Sequence, residues 1–121
     1  MIERRQFERV RINLQVRLIA KAMGDVNEFE FLTQNLSPGG VYIKGEESEY
    51  PFDNQTILEI TLEIRFKGID KISFIGKVVH NASGGFGIKV VQIDDVDKKS
   101  LVQFIQFVID EKGDEVISSG V

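Results

Sequence analysis

The amino-acid sequence predicts an all-β fold that ends in a single α-helix. Six short segments are predicted as strands, and the clearest of them alternate apolar and polar residues with the period of two that half-buried strands show. Regular turns separate these segments, which favours a small antiparallel barrel or sandwich. Near the C-terminus the period changes to that of an amphipathic helix. The 121 residues are long enough for one modest core and too short for two, so we expect one domain.

The six predicted strands follow one another through short connections. The first begins at Val10, where every second residue up to Leu18 is apolar, and Ala20 and Ala22 extend it. The segment that begins at Ile57 has the cleanest alternation of the whole chain. The other strands are predicted at residues 29–34, 41–44, 71–80 and 86–93, and the segment of Ile57 is predicted to run over residues 57–66.

The helix is predicted over residues 95–111, where apolar residues recur at i, i+3, i+4 and i+7. Either Asp94 or Asp95 is expected to cap its N-terminus, and Asp97 adds favourable negative charge in the first turn. Gly113 marks the expected end. The apolar stripe consists of Leu101, Phe104, Ile105 and Val108.

The composition narrows the functional classes. Hydrophobic residues make up 42% and charged residues 28% of the chain, both ordinary for a soluble globular protein. The absence of cysteine excludes a disulfide scaffold, a thiolate zinc site and a cysteine nucleophile. No apolar run approaches the roughly 18 residues of a membrane span, and the N-terminus does not resemble a signal peptide. We therefore expect a cytoplasmic protein.

The charge is distributed unevenly. The net charge is −4, but residues 1–21 hold six basic and two acidic residues, so the rest of the chain carries −8. An acidic body argues against general nucleic-acid binding, which requires a broad basic surface. It is compatible with a small anion held locally by a basic arm. The basic residues of this segment are Arg4, Arg5, Arg9, Arg11, Arg17 and Lys21.

Two short motifs are the most informative parts of the chain. Residues 4–9 read RRQFER and place Arg5 and Arg9 in an R-x-x-x-R spacing. Residues 35–40 read NLSPGG, an N-x-S-x-x-G. Taken alone, the arginines fit a solvated face and the second motif fits a turn. Their joint occurrence in this order, followed by a matching strand pattern, favours a binding site.

The two motifs resemble the signature of PilZ domains, bacterial receptors for the second messenger cyclic di-GMP. In that family R-x-x-x-R precedes D/N-x-S-x-x-G. Residues 76–80, GKVVH, are similar to the family's G-R-V-V-W stretch, and residues 85–90, GFGIKV, are similar to its G-x-G-I-x-F ending. The resemblance covers about residues 3–93 and implies a six-stranded antiparallel barrel. It divides the chain into a ligand-binding arm at residues 1–9, the PilZ barrel at 10–93, the C-terminal helix at 94–112 and a tail at 113–121.

The resemblance also implies which residues bind cyclic di-GMP. Arg5 and Arg9 would be the main ligands, because an arginine fork donates two parallel hydrogen bonds to O6 and N7 of guanine and also pairs with phosphate. Asn35 and Ser37 would hold a guanine edge, and the two glycines of the second motif would let the backbone approach a flat ligand. The full implied set is Arg4, Arg5, Arg9, Asn35, Ser37, Gly39, Gly40 and His80.

Three positions depart from the family pattern. Val90 replaces the usual Phe, which we interpret as a change in core packing. Asn35 stands where Asp is also common, so it keeps an acceptor and loses a charge-assisted hydrogen bond. His80 takes the place of an aromatic residue that stacks on a base in some members. It is either such a stacking residue or an ordinary surface histidine.

Arg4 bears on the number of ligands. In the family, an arginine just before R-x-x-x-R tends to accompany an intercalated dimer of cyclic di-GMP. Two stacked ligands bring four phosphates together, and a further cation offsets their repulsion. The resemblance thus implies two cyclic di-GMP molecules per chain, the alternative being that Arg4 points into solvent.

The expected function is that of a receptor or adaptor that changes conformation on binding cyclic di-GMP and signals to a partner protein. No enzyme motif is present, no cofactor other than this ligand is expected, and the lone His80 lacks a neighbouring ligand for a metal. The alternative is a PilZ-like adaptor barrel that acts only through protein–protein contacts. A binder of single-stranded nucleic acid is disfavoured, because surface aromatics do not alternate with basic residues.

Overall fold

Nine strands of the described residues form one antiparallel sheet with the order β3-β2-β6-β7-β8-β5-β4-β1-β9. The computed structural model describes residues 11–44, 51–82, 85–112 and 116–117, with the backbone alone for 80–82, 112 and 116–117. The sheet surrounds the core as a half-barrel, and one helix follows it. The elements are β1 Arg11–Asn13, β2 Arg17–Ala22, β3 Glu28–Leu32, β4 Asn35–Ser37, β5 Gly40–Lys44, β6 Ile57–Phe66, β7 Ile69–Ala82, β8 Gly85–Gln92, α1 Asp95–Lys112 and β9 Val116–Ile117.

The predicted all-β class is confirmed, while the strand count is higher than the predicted six. The long first strand divides into β1 and β2, the second corresponds to β3, and β4 lies in the motif segment that follows the second predicted strand. β6 occupies the predicted residues without change. β9 comes from the segment that we expected to form a tail, and it pairs with β1.

Thr33 explains why the first predicted strand divides. Its side chain is buried, and its Oγ1 donates to the carbonyl oxygen of Leu14 at 2.6 Å and accepts from the N–H of Val16 at 2.8 Å. Its own N–H donates to the carbonyl oxygen of Val16 at 3.0 Å. These bonds replace ladder hydrogen bonds. The chain can therefore leave the β4 ladder after Asn13 and join the β6 ladder at Arg17.

The two central strands form a long hairpin. β6 and β7 are joined by Lys67 and Gly68, whose φ angles are 46° and 82°. Positive φ at both central residues is the geometry of the two-residue turn that matches strand twist. The core lies on the inner face of the sheet and is closed by α1. Its fully buried side chains include Leu18, Leu36, Ile43, Leu58, Ile60, Leu62, Ile72, Ile88, Leu101 and Ile105.

α1 begins where the sequence predicts. The N–H of Asp97 donates to Oδ1 of Asp94 at 2.7 Å, which identifies Asp94 as the N-cap. All four residues of the predicted apolar stripe are buried. Phe66 of β6 packs on Phe104 and Phe107 at ring-centroid distances of 5.7 and 4.8 Å, which fixes the helix against the hairpin. Within the described ranges, no helix has the length and apolar character that crossing a membrane requires.

Candidate functional site

The outer surface of β4, β5, β8 and β7 carries the second motif. These four strands are neighbours in the sheet, and their apolar residues alternate inward. Leu36, Val41 and Ile88 are buried in the core. Because side chains alternate along a strand, the residues between them face outward. The outward positions around the motif hold mainly small and polar residues, with Val79 as an exposed apolar one, and they line a shallow recess.

The NLSPGG motif forms the β4–β5 hairpin, and Pro38 and Gly39 make its turn. The hydroxyl of Ser37 donates to the carbonyl oxygen of Gly40 at 3.2 Å. The carbonyl oxygen of Gly39 accepts from the N–H of Val90 in β8 at 2.9 Å. The motif is therefore a β-hairpin whose turn is limited to Pro38 and Gly39, with its other residues in the two strands. The same turn is fixed to the neighbouring strand, so its polar groups have a defined position.

A cavity of about 180 Å³ lies over this hairpin. The structure brings the predicted residues Asn35, Ser37, Gly39 and Gly40 together in its lining. Arg4, Arg5 and Arg9 lie outside the described residues. For His80 the structure gives the backbone, which pairs with Gly87. The other lining residues are Arg11, Val41, Tyr42, Val79 and Ile88.

Strand register arranges the outward residues in two rows across the sheet. In the first row Asn35 of β4 is opposite Tyr42 of β5, Tyr42 is opposite Gly87 of β8, and Gly87 is opposite His80 of β7. We call this the Tyr42 row. It combines an amide, a phenol ring and an uncovered backbone, which are groups that contact the edge and the face of a planar heterocycle.

The second row runs parallel to the first. Ser37 is opposite Gly40, Gly40 is opposite Lys89 of β8, and Lys89 is opposite Lys77 of β7. At the other end, the pairing of Ile12 with Leu36 places Arg11 of β1 beside Ser37. We call the set Arg11, Ser37, Gly40, Lys89 and Lys77 the cationic row. It has basic side chains at both ends and small residues in the middle.

The glycines of this surface have different steric surroundings. A Cβ on Gly40 would clash with the carbonyl oxygen of Ile88 and lie 3.3 Å from Cα of Lys89. A Cβ on Gly85 would lie 2.7 Å from Oη of Tyr42. The Tyr42 ring therefore leans across Gly85. A Cβ on Gly87 would meet nothing closer than Val79 Cγ2 at 3.7 Å, so the backbone of Gly87 remains uncovered.

Five residues that line the cavity were not among the predicted ones, and two of them, Tyr42 and Arg11, have polar side chains. Tyr42 alternates with the buried Val41 and Ile43, a pattern that places it on the same face as Gly40. That signal was present in the sequence. Arg11 lies beyond the R-x-x-x-R motif, and only its register with β4 brings it to the cavity.

Elsewhere on the sheet, two basic residues of β2, Arg17 and Lys21, have acidic partners. Arg17 donates to Glu30 and its Nη1 lies 2.9 Å from Oε1 of Glu63, in an ion pair without aligned hydrogen-bond geometry. The hydrogen bond between Arg17 and Glu30 raises the pKa of the guanidinium and lowers the pKa of the carboxylate. Lys21 pairs with Glu59 at 2.6 Å. No carboxylate lines the cavity over the hairpin, so its positive charge is uncompensated among the described residues.

Three larger depressions lie among the described residues, of about 310, 570 and 690 Å³. The first adjoins Asp94 at the start of α1, the second is lined by residues such as Leu14 and Phe31, and the third contains the paired Arg17 and Glu63. None of them contains a motif residue, so size alone does not identify the site. In the part of the chain that the structure describes, no group of three His, Asp or Glu side chains could hold a metal ion.

Comparisons with known proteins agree with the fold described above. Residues 3–107 match the PilZ domain. No curated protein matches the chain. Among solved structures, the Bacillus subtilis inhibitor of motility MotI/DgrA superposes with a TM-score of 0.70 and 18% identity, over 92% of this chain and 54% of that one. The chain thus spans about half the length of MotI.

Two shorter structures are also similar. The PilZ domain of CeSA from a cellulose-synthesizing bacterium has a TM-score of 0.58 and 18% identity, over 83% of this chain and 97% of that one. An uncharacterized Legionella protein has a TM-score of 0.52 and 10% identity, over 85% and 97%. At these identities the structures support the fold, and the residues of the site have to be argued from their own chemistry.

Proposed function

Since this chain belongs to the PilZ domain family, we propose that it is a cytoplasmic, non-catalytic receptor for cyclic di-GMP that passes the signal to a partner protein. One observation carries the proposal. The side chains of Asn35 and Ser37 and the backbone of Gly40 line a single cavity on the outer face of the sheet. These are the groups that the second motif requires to act together.

The polar groups of the cavity suit a guanine edge. Asn35 is half-buried and presents an amide that can accept from N1–H or N2–H of guanine. The hydroxyl of Ser37 donates to Gly40, which leaves its lone pairs free to accept from the same edge. Arg5 and Arg9, which precede β1 in the chain, would donate to O6 and N7 of guanine or to phosphate.

The Tyr42 row suits the face of a base. The Tyr42 ring lies over Gly85 and leaves Gly87 uncovered, with Val79 on the other side. Tyr42 of β5 and Val79 of β7 lie on the two strands that flank β8, and such strands are about 9.6 Å apart. This distance leaves room for a planar ring between the two side chains. We place one guanine over Gly87, where Tyr42 stacks against it or borders it and His80 closes the row.

The signal would pass through the arm. Its arginines need an anion, which the ligand supplies, so ligand binding would order residues 1–9 against the cavity. Arg4 would add the cation for a second, intercalated ligand, giving two molecules per chain. A partner protein would then bind with different affinity to the ligand-bound and the ligand-free arm. Amide hydrogen exchange of the arm in both states tests this step.

Calorimetric titration with cyclic di-GMP tests the function. Each arginine with a bidentate guanine contact contributes about 1–3 kcal/mol, so Arg5→Ala and Arg9→Ala should each weaken binding about tenfold or more. Arg65→Ala, in an exposed position of β6, is the matched control and should bind like the unmodified protein. Thermal melts should show little change for all three variants.

The outcomes separate the two classes of function. Unchanged affinity in both arginine variants would reject the site. Absence of any binding by the unmodified, folded protein would reject the receptor and leave the adaptor that acts only through protein–protein contacts.

A further inference from the structure

Two lysines on the outer face of β7 and β8 stand directly opposite each other. Lys77 pairs in register with Lys89, and like charges in directly opposite positions destabilise a sheet. Within the described ranges neither lysine has an ion pair or a side-chain hydrogen bond. Arg17 and Lys21, on the other half of the sheet, each have a carboxylate partner. The lysine pair is thus an unfavourable feature that the protein retains.

The position of the pair explains what could offset its repulsion. Lys89 is opposite Gly40, which has no side chain and adjoins Ser37. Arg11 approaches from the far side of Ser37. Neighbouring strands are about 4.8 Å apart, so Arg11 and Lys89 start about 14 Å from each other and their long flexible side chains can converge above Ser37 and Gly40. The three cations therefore border one small polar floor.

We infer that Arg11, Lys89 and Lys77 bind the phosphate groups of an anionic nucleotide whose base lies on the adjacent Tyr42 row. This inference rests on the proposed function for the identity of the nucleotide. A phosphodiester brings the negative charge that the row lacks, and lysine ammonium and arginine guanidinium groups both pair with phosphate oxygens. A row that breaks a local rule of sheet stability in this way is typical of a functional surface.

Neutral substitutions test the row through two properties that should change in opposite directions. Lys77→Gln and Lys89→Gln should each weaken cyclic di-GMP binding about two- to fivefold, the effect of losing one exposed charge pair. Both variants should melt at the same or a higher temperature, because the repulsion between the lysines is relieved. Lys71→Gln is the control. It is exposed on the same strand, about 20 Å away, at 3.3 Å per residue.

A second titration keeps this test independent of the ligand's identity. Inorganic pyrophosphate is added to ¹⁵N-labelled protein, and the amide signals of Gly40, Gly87 and Lys89 are followed. They should shift in the unmodified protein and in Lys71→Gln, and they should shift less in the double variant Lys77→Gln/Lys89→Gln. Raising the salt concentration should reduce the shifts, since exposed charges are screened.

The cyclic di-GMP titration and the pyrophosphate titration give distinguishable outcomes. If pyrophosphate shifts the amide signals but cyclic di-GMP does not bind, the proposed function is rejected and phosphate binding by the cationic row is supported. If the lysine substitutions leave cyclic di-GMP binding unchanged and pyrophosphate shifts no amide signal, phosphate binding by the cationic row is overturned. The proposed function then remains intact. If Lys77→Gln and Lys89→Gln bind cyclic di-GMP more weakly and Lys71→Gln does not, both the proposed function and phosphate binding by the cationic row are supported.

Discussion

Gly87→Ala separates ligand binding from folding at a single position of the Tyr42 row. The added methyl group would lie 3.7 Å from Val79 Cγ2 and 3.9 Å from the carbonyl oxygen of Val41, both ordinary van der Waals distances. No atom of the fold has to move. Because glycine inside a strand costs about 0.5–1 kcal/mol relative to alanine, the free energy of unfolding should stay the same or rise by that amount.

The same methyl group should interfere with the ligand. It stands out from the sheet at the place where we propose that a guanine rests on the backbone. A base held off the backbone loses stacking, which contributes about 1–3 kcal/mol per base, so the dissociation constant of cyclic di-GMP should rise about tenfold or more. Calorimetric titration measures the affinity, and chemical denaturation of the same samples measures stability.

Gly40→Ala is the contrasting variant. Its methyl group would clash with the carbonyl oxygen of Ile88, a backbone atom of the β5–β8 ladder that cannot rotate away. Overpacking of this kind costs about 1–3 kcal/mol, so this variant should lose stability as well as affinity. A Gly87→Ala protein that binds with unchanged affinity would refute the placement of the base. One that unfolds more easily would refute the steric reasoning.

Three further predictions concern the fold. Thr33→Val keeps the shape but leaves the carbonyl of Leu14 and the N–H of Val16 without their partner, so the free energy of unfolding should fall by about 1–3 kcal/mol in urea titration. Asp94→Ala removes the N-cap of α1 and should cost about 1 kcal/mol by the same assay. Burial, and then the neighbouring carboxylate of Asp94, raise the pKa of Asp97 above its ordinary 3.8. The folded state therefore binds this proton more tightly than the unfolded state, and stability should fall as pH rises from about that value through the folded pKa. Melts of Asp97→Asn over this range should show a smaller fall, and an unchanged pH profile would contradict the assignment.

The spacing of apolar residues along the sequence was sufficient to predict most of the fold. The alternation at Ile57–Phe66 and the helical spacing after Asp94 both reflect which face is buried, and burial is what selects these elements. The division of the first strand was not predictable in this way. It depends on the side chain of Thr33 replacing ladder bonds of Leu14 and Val16, and the sequence does not show which backbone groups a buried threonine will meet.

The candidate site was predictable in part for the same reason. Asn35 and Ser37 are adjacent in sequence to the turn that fixes them, so the short motif alone was enough to predict that they lie together. Arg11, Lys77 and Lys89 come from three different strands, and only the register of the sheet places them in one row across its outer face, with Arg11 at the cavity. Register is a tertiary property, because each strand could face several partners.

Calorimetric titration of the unmodified protein with cyclic di-GMP, in parallel with cyclic di-AMP, tests the central claim most directly. Adenine carries an amino donor where guanine carries the O6 acceptor, so the arginines would discriminate between the two ligands. We predict saturable binding of two cyclic di-GMP molecules per chain and at least about tenfold weaker binding of cyclic di-AMP. Equal affinities for the two ligands, or no binding of cyclic di-GMP, would contradict recognition of guanine by this surface.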